Sequence, residues 1–191
     1  VNKGENRIAL IAPLQEMNIP GEAYSKDPQN FKLAYQRIQK IFKEAGVSPQ
    51  TIRWVFAPNG WSENNEHRFE NYYPGDKSVD VVAFSSYNWG YCNNSSWKHW
   101  SSPKEVFEPY IKRMKIMAPS KPIFIAQTGS TSNTQKGLEN NAKDQWLRDS
   151  YTQLPAMGVR AILYFNINKE CDWAINSNSG KSAGYKDALK N

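Results

Sequence analysis

The run Lys121-Pro-Ile-Phe-Ile-Ala-Gln-Thr-Gly-Ser130 constrains the fold more than any other stretch of the chain. Continuous apolar character between a proline and a glycine reads as a strand buried on both faces. It ends by delivering one polar side chain, Gln127, just before the turn. Residues 7–14 repeat the pattern upstream, an apolar run followed by Glu16. A strand buried on both faces needs helices on either side, so the chain is directed toward a parallel sheet with crossover helices.

The rest of the chain alternates accordingly. A helix is predicted over 28–45, with Asp27 as N-cap, Pro28 at the first helical position and Gly46 as the stop. Its apolar stripe comprises Phe31, Ala34, Tyr35, Ile38, Ile41, Phe42 and Ala45. Strands follow at 51–56 and 79–84, separated by a polar loop over 60–77. After a long aromatic loop, 86–101, Ser102 and Glu105 form a capping box ahead of a helix that runs to Met117. The strand at 121–127, a helix over 138–154, a strand over 158–165, a polar loop over 166–181 and a short helix near 182–190 complete the series. The expectation is one α/β domain over 1–191 with five parallel strands and its polar groups just past the strand ends, where such folds place their sites.

Composition narrows the function. With 191 residues and 39% hydrophobic content the chain can bury a core. Its mean hydropathy is −0.73, and no apolar run reaches membrane-spanning length. Net charge is +6, but Lys32, Arg37, Lys40, Lys43 and their like are scattered along helices, as solvated faces are. Nucleic acid and membranes are therefore not expected as partners. The two cysteines, Cys92 and Cys171, and the two histidines, His67 and His99, lack metal-ligand spacing, so no metal or cofactor is implied. Cys92 and Cys171 both follow strands, and a disulfide and two free thiols both stay open. The sequons at Asn93 and Asn94 carry no weight in a bacterial protein. The chain opens on Val1 rather than Met, as a mature or trimmed product does.

Seven Trp and ten Tyr are present. Trp61, Tyr72, Tyr73, Trp89, Tyr91, Trp97, Trp100 and Trp173 fall in loops beside Asn, Ser and Gly. Sugar rings have apolar C–H faces and a rim of hydroxyls, which flat aromatics beside short polar side chains suit. Core packing is the competing reading for each ring. Glycoside hydrolysis further needs two carboxyl groups, one to protonate the leaving oxygen and one to attack the anomeric carbon or activate water. Glu16 and Gln127, each at a strand's end, fit that scheme if one carboxylate has been replaced by its amide.

Several motifs in order resemble glycoside hydrolase family 26, the β-mannanase-like family of retaining (β/α)8 barrels. Pro13-Leu-Gln-Glu-Met-Asn18 is similar to the acid/base motif at the end of its fourth strand. Arg53-Trp-Val-Phe-Ala-Pro-Asn59 is similar to its fifth strand, and Tyr73-Pro-Gly-Asp-Lys-Ser-Val-Asp-Val-Val82 to the run into its sixth. Lys121–Ser130 resembles the seventh strand, which bears the nucleophile, and Phe165-Asn with Asp172-Trp173 the eighth strand and its loop. The resemblance spans residues 7–175 and implies a partial (β/α)8 barrel, equivalent to strands 4–8, without the first three βα units.

By that resemblance Glu16 is the general acid/base and Gln127 occupies the nucleophile position. Tyr87 orients the nucleophile and Trp173 is the floor under the cleaved sugar. Gln15, Asn59, Trp61 and Trp89 are further substrate-binding candidates, with Trp97 a weaker one. Gln15 departs from the family's usual His, and Gln127 from its Glu. The implied protein is a secreted, endo-acting retaining β-glycanase, with β-1,4-mannan as first substrate and β-1,3-xylan or mixed-linkage β-glucan as alternatives. An introduced Glu→Gln change that traps substrate is the leading account of Gln127. A natural glycan-binding pseudoenzyme is the other. The open side of such a barrel exposes strand edges, so a second copy or a partner covering it is also expected.

Overall fold

A computed structural model describes residues 7–92, 98–175 and 183–190. The chain forms two compact units, Val1–Ser85 with Met114–Phe124, and Ser86–Arg113 with Ile125–Asn191.

In the first unit, strand β1 (Ala9–Ile11) leads to helix α1 (Pro28–Glu44), strand β2 (Ile52–Phe56) and strand β3 (Val81–Ser85). Parallel pairing sets Leu10 beside Arg53 and Val55 beside Val81. The start of α1 is fixed by Asp27, whose carboxylate accepts from the Asn30 backbone N–H at 2.9 Å, and Pro28 follows it. Its end is fixed by Gly46, at φ +73, a left-handed conformation that costs glycine nothing. One face of α1 is buried: Phe31 meets Phe56 edge-on at 6.2 Å and Tyr72 at 5.8 Å, and Phe42 meets Trp54 at 5.2 Å. Full burial of a ring such as Phe31 contributes roughly 2–3 kcal/mol. The stripe is narrower than its periodicity predicts, because Ile41 and Ala45, at the end of the helix, are exposed.

β1 departs further from expectation. Its pairing covers only Ala9–Ile11 instead of 7–14, since Pro13 has no N–H to donate and Leu14 turns the chain at φ +54. Nor is it buried on both faces, for Ile8 and Leu10 are half exposed.

In the second unit come helix α2 (Pro103–Met117, whose last turn belongs to the first unit), strand β4 (Ile123–Thr128, which begins in the first unit), a hairpin of β5 (Asn133–Thr134) and β6 (Gly137–Leu138), helix α3 (Asn140–Ala156), strand β7 (Val159–Tyr164) and helix α4 (Ala183–Ala188). The predicted capping box is formed: Ser102 N–H donates to Glu105 Oε2 at 2.7 Å and Glu105 N–H to Ser102 Oγ at 3.3 Å. Phe107 and Trp146 pack α2 on α3 at 5.8 Å. Five parallel strands make one sheet in the order β1-β2-β3-β4-β7, the strand count and sequence that a partial (β/α)8 barrel requires. The β5–β6 hairpin was not expected, because two-residue strands leave no alternating pattern to read.

Candidate functional site

The predicted site residues fall into two groups, one in each unit. In the first unit, Glu16 follows β1 with φ +57, a conformation L-residues seldom adopt. It is pinned there by its backbone N–H, which donates to the Ala57 carbonyl at 2.8 Å. Its carboxylate Oε1 accepts from Asn59 Nδ2 at 3.1 Å. Asn59 is itself fixed by Asn18, which is 1% exposed: Asn59 N–H donates to Asn18 Oδ1 at 2.8 Å, and Asn18 Nδ2 donates to the carbonyls of Asn59 and Trp61, both at 2.9 Å. Sequence reasoning did not single out Asn18, though it closes the Gln-Glu-Met-Asn motif and is the residue that locks the β2 end to the Glu16 turn. Gln15 is exposed, and its carbonyl accepts from Tyr24 Oη at 2.8 Å. Trp61 is 54% exposed, which leaves apolar surface open to solvent.

Tyr72 and Tyr73 belong to the core instead. Tyr72 is fully buried with its hydroxyl 3.0 Å from His67 Nδ1, and Tyr73 packs on Phe56 at 5.3 Å.

In the second unit, β4 delivers Gln127, and Tyr87 from the loop after β3 donates its hydroxyl to Gln127 Oε1 at 3.0 Å. Asn88, wholly buried, ties that loop to the turn after β4: its Nδ2 donates to Ser130 Oγ at 3.0 Å and its Oδ1 accepts from Ser101 N–H at 3.0 Å. Tyr87 lies 5.1 Å from Trp173, and Trp89 stands edge-on to Trp173 at 4.9 Å. A Cβ at Gly129 would lie 3.2 Å from the Trp173 ring and 3.4 Å from Tyr87, so a side chain there would press Trp173 back by a few tenths of an ångström. Cys92 and Cys171 are joined in a disulfide that packs beside Trp173, which resolves the alternative left open by their spacing.

Trp173 is fully buried, whereas Trp89 is 38% exposed. Trp173 therefore serves as a wall against which Tyr87 and Trp89 rest, and Trp89 presents the open aromatic surface. Trp97 and the sequons at Asn93 and Asn94 lie outside the described residues. Among the described residues no group of His, Cys, Asp and Glu could hold a metal, and no helix is long and apolar enough to cross a membrane.

Each unit thus sets one polar side chain at a strand end, Glu16 after β1 and Gln127 in β4, with an exposed tryptophan in the same unit, Trp61 and Trp89, and strand ends are where parallel α/β folds place their functional groups. No family model matches the chain. Among curated proteins it is similar to Endoglucanase H of Acetivibrio thermocellus, 30% identical over 164 residues, covering 84% of this chain and 17% of that protein. Among solved structures it is similar to a family 26 β-mannanase from Bacteroides ovatus, with TM-score 0.64 and 14% identity over 97% of this chain and 51% of the other. A family 26 endo-β-1,4-mannanase catalytic domain from a Bacillus species gives TM-score 0.62 and 14% identity over 96% and 50%. The motif resemblance to glycoside hydrolase family 26 is thus met again at the level of fold. The chain spans about half the length of these solved structures and a smaller share of the curated relative.

Proposed function

We propose that the chain carries the cleavage machinery of a secreted, retaining, endo-acting β-glycanase, with Glu16 as general acid/base and residue 127 as the nucleophile position. The observation that carries the reading is the Tyr87 hydroxyl donated to the Gln127 side-chain oxygen at 3.0 Å, beside Trp89 and Trp173. A phenol aimed at that oxygen would orient and stabilise a carboxylate in the same place. The Asn59 hydrogen bond to Glu16 and the similarity to family 26 hydrolases add support.

With Glu at position 127, its carboxylate attacks the anomeric carbon while the bond to the leaving oxygen breaks. Glu16 gives that oxygen its proton. Glu16 then takes a proton from water, the water oxygen attacks the same carbon, and the carboxylate leaves. A Gln in that place keeps the shape and a hydrogen-bonding oxygen but forms no glycosyl ester at a useful rate. The chain as it stands therefore binds glycan and hydrolyses it very slowly or not at all. Whether Gln127 is an introduced change or native to a binding protein separates two forms of this reading. Secretion is supported by the Cys92–Cys171 disulfide, which persists in oxidising compartments.

β-1,4-Mannan is the first substrate, on the similarity to solved mannanases. β-Glucan is the second, because the curated relative is an endoglucanase. The test is Gln127→Glu, assayed for reducing-sugar release on mannan, mixed-linkage β-glucan, β-1,3-xylan and xylan. Release on one polymer that is lost in Gln127→Glu/Glu16→Ala supports both roles. Binding without release supports the pseudoenzyme, and neither binding nor release defeats the glycan reading.

A further inference from the structure

Lys143 is the most deeply buried lysine among the described residues, with 3% of its side chain exposed, and nothing in the proposed chemistry uses it. A buried ammonium is costly unless its three donors are taken up. From α3 its Nζ donates to the backbone carbonyls of Asp172 and of Ala174, the latter at 2.7 Å, so it grips the chain on both sides of Trp173. The carbonyl between them, that of Trp173, accepts from Tyr164 Oη at 2.8 Å. Three successive carbonyls of an irregular loop are thus each satisfied by a long side chain from a regular element.

The Asp172 side chain completes the anchorage. It lies 4.0 Å from Lys143 Nζ and accepts from Thr131 Oγ1, Ser132 Oγ and the Ser132 N–H at 3.1 Å, residues that directly follow β4. Asp172 therefore fastens the Trp173 loop to the segment that leaves Gln127, and Lys143 fastens both to α3.

We propose that Lys143 is a positioning residue: by holding the backbone of residues 172–174 it fixes Trp173 as the wall against which Tyr87 and Trp89 are set beside Gln127. Its consequence for ligand rests on the glycan reading above, while its effect on the loop does not. Without the ammonium, the carbonyls of Asp172 and Ala174 lose a charged donor inside the protein, and the loop opens to recover those bonds from water.

The experiment compares Lys143→Met and Lys143→Arg with the parent chain, Gln127 retained. It reads hydrogen exchange of residues 171–175 by mass spectrometry, near-ultraviolet circular dichroism, and titration with soluble manno- and gluco-oligosaccharides. In Lys143→Met, exchange of 171–175 is expected to rise, and oligosaccharide affinity to fall, about tenfold or more, the size set by an orphaned buried hydrogen bond. The tryptophan signal should shrink, far-ultraviolet circular dichroism should be unchanged, and Lys143→Arg should recover most of each loss. If the methionine variant does not fold, Lys143→Gln, which keeps one donor group, takes its place. Unchanged exchange at 171–175, or an increase spread evenly over the chain, overturns the proposal. Faster exchange with affinity within twofold overturns the link to the ligand site. A parent chain that binds no oligosaccharide defeats the glycan reading, and the exchange data then decide the role of Lys143 by themselves.

Discussion

The Tyr87 hydroxyl donates to Gln127 Oε1 at 3.0 Å, joining the loop after β3 to the penultimate residue of β4. A neutral amide oxygen accepts this bond weakly; a carboxylate at the same position would accept it more strongly. In Gln127→Glu, adding Tyr87→Phe is expected to lower kcat by about 10- to 100-fold, the worth of a hydrogen bond to a charged group. KM should change less than kcat if the bond acts on the nucleophile rather than on substrate binding. Steady-state kinetics on the polymer that Gln127→Glu cleaves provide the check, and unchanged kcat would remove Tyr87 from the chemistry.

Glu16 stores strain. Its φ of +57 places Cβ close to its own carbonyl, which costs a residue of this kind roughly 1–2 kcal/mol. Asparagine tolerates that conformation far better. Glu16→Asn is therefore expected to raise stability by about 0.5–1 kcal/mol while ending catalysis in the Gln127→Glu background. Glu16→Ala, which keeps the Cβ, should give no such gain. Urea unfolding of the three proteins measures it. A destabilised Glu16→Asn would mean that the Asn59 bond to Glu16 outweighs the strain.

The disulfide closes a loop between residues 79 apart in sequence. Cross-linking a chain over that distance restricts the unfolded state and is worth about 2–4 kcal/mol. The Cys92→Ser/Cys171→Ser variant should lose that much in thermal or denaturant unfolding. The loss should match that of the parent in reductant. Because the bond packs on Trp173, the variant should also weaken oligosaccharide binding more than a stability loss elsewhere in the unit would.

Much of this arrangement could be read before the structure, for physical reasons. Strand runs such as Ile123–Ala126 and Val81–Phe84 are apolar without interruption, and α1 announces both of its ends through Asp27, Pro28 and Gly46. What could not be read depends on long-range contacts. Trp173 resembled an open platform, yet Trp89, 84 positions earlier, covers it edge-on. The Asn18–Asn59 exchange spans 41 residues and leaves no local pattern. Lys143 looks like any solvated helix lysine until the carbonyls of residues 172 and 174 come to meet it. β1 read too long because an apolar run says nothing of where Leu14 reverses the chain.

Burial pulls the Lys143 ammonium down to about 8, against the upward pull of Asp172 and Asp144. In the unfolded chain it returns to about 10.4. Below pH 8 both states hold the proton, and the cost of burying the charge is present in full. As pH rises from 8 toward the unfolded value, the folded state releases its proton first and the cost is relieved, so this group favours folding more at pH 9 than at pH 7. The gain over that interval is about 1 kcal/mol. Tyr35, Tyr151 and Tyr164, all pushed up by burial, act in the opposite sense above about pH 10, where the unfolded phenols begin to ionise. Those tyrosines are common to the parent and Lys143→Met, so the difference between the two proteins isolates the lysine. Denaturant unfolding at pH 7, 8 and 9 should show the parent gaining about 1 kcal/mol on the methionine variant across the series. A flat difference would mean that Lys143 keeps its proton throughout, with the carbonyls of Asp172 and Ala174 and the Asp172 carboxylate compensating the charge completely.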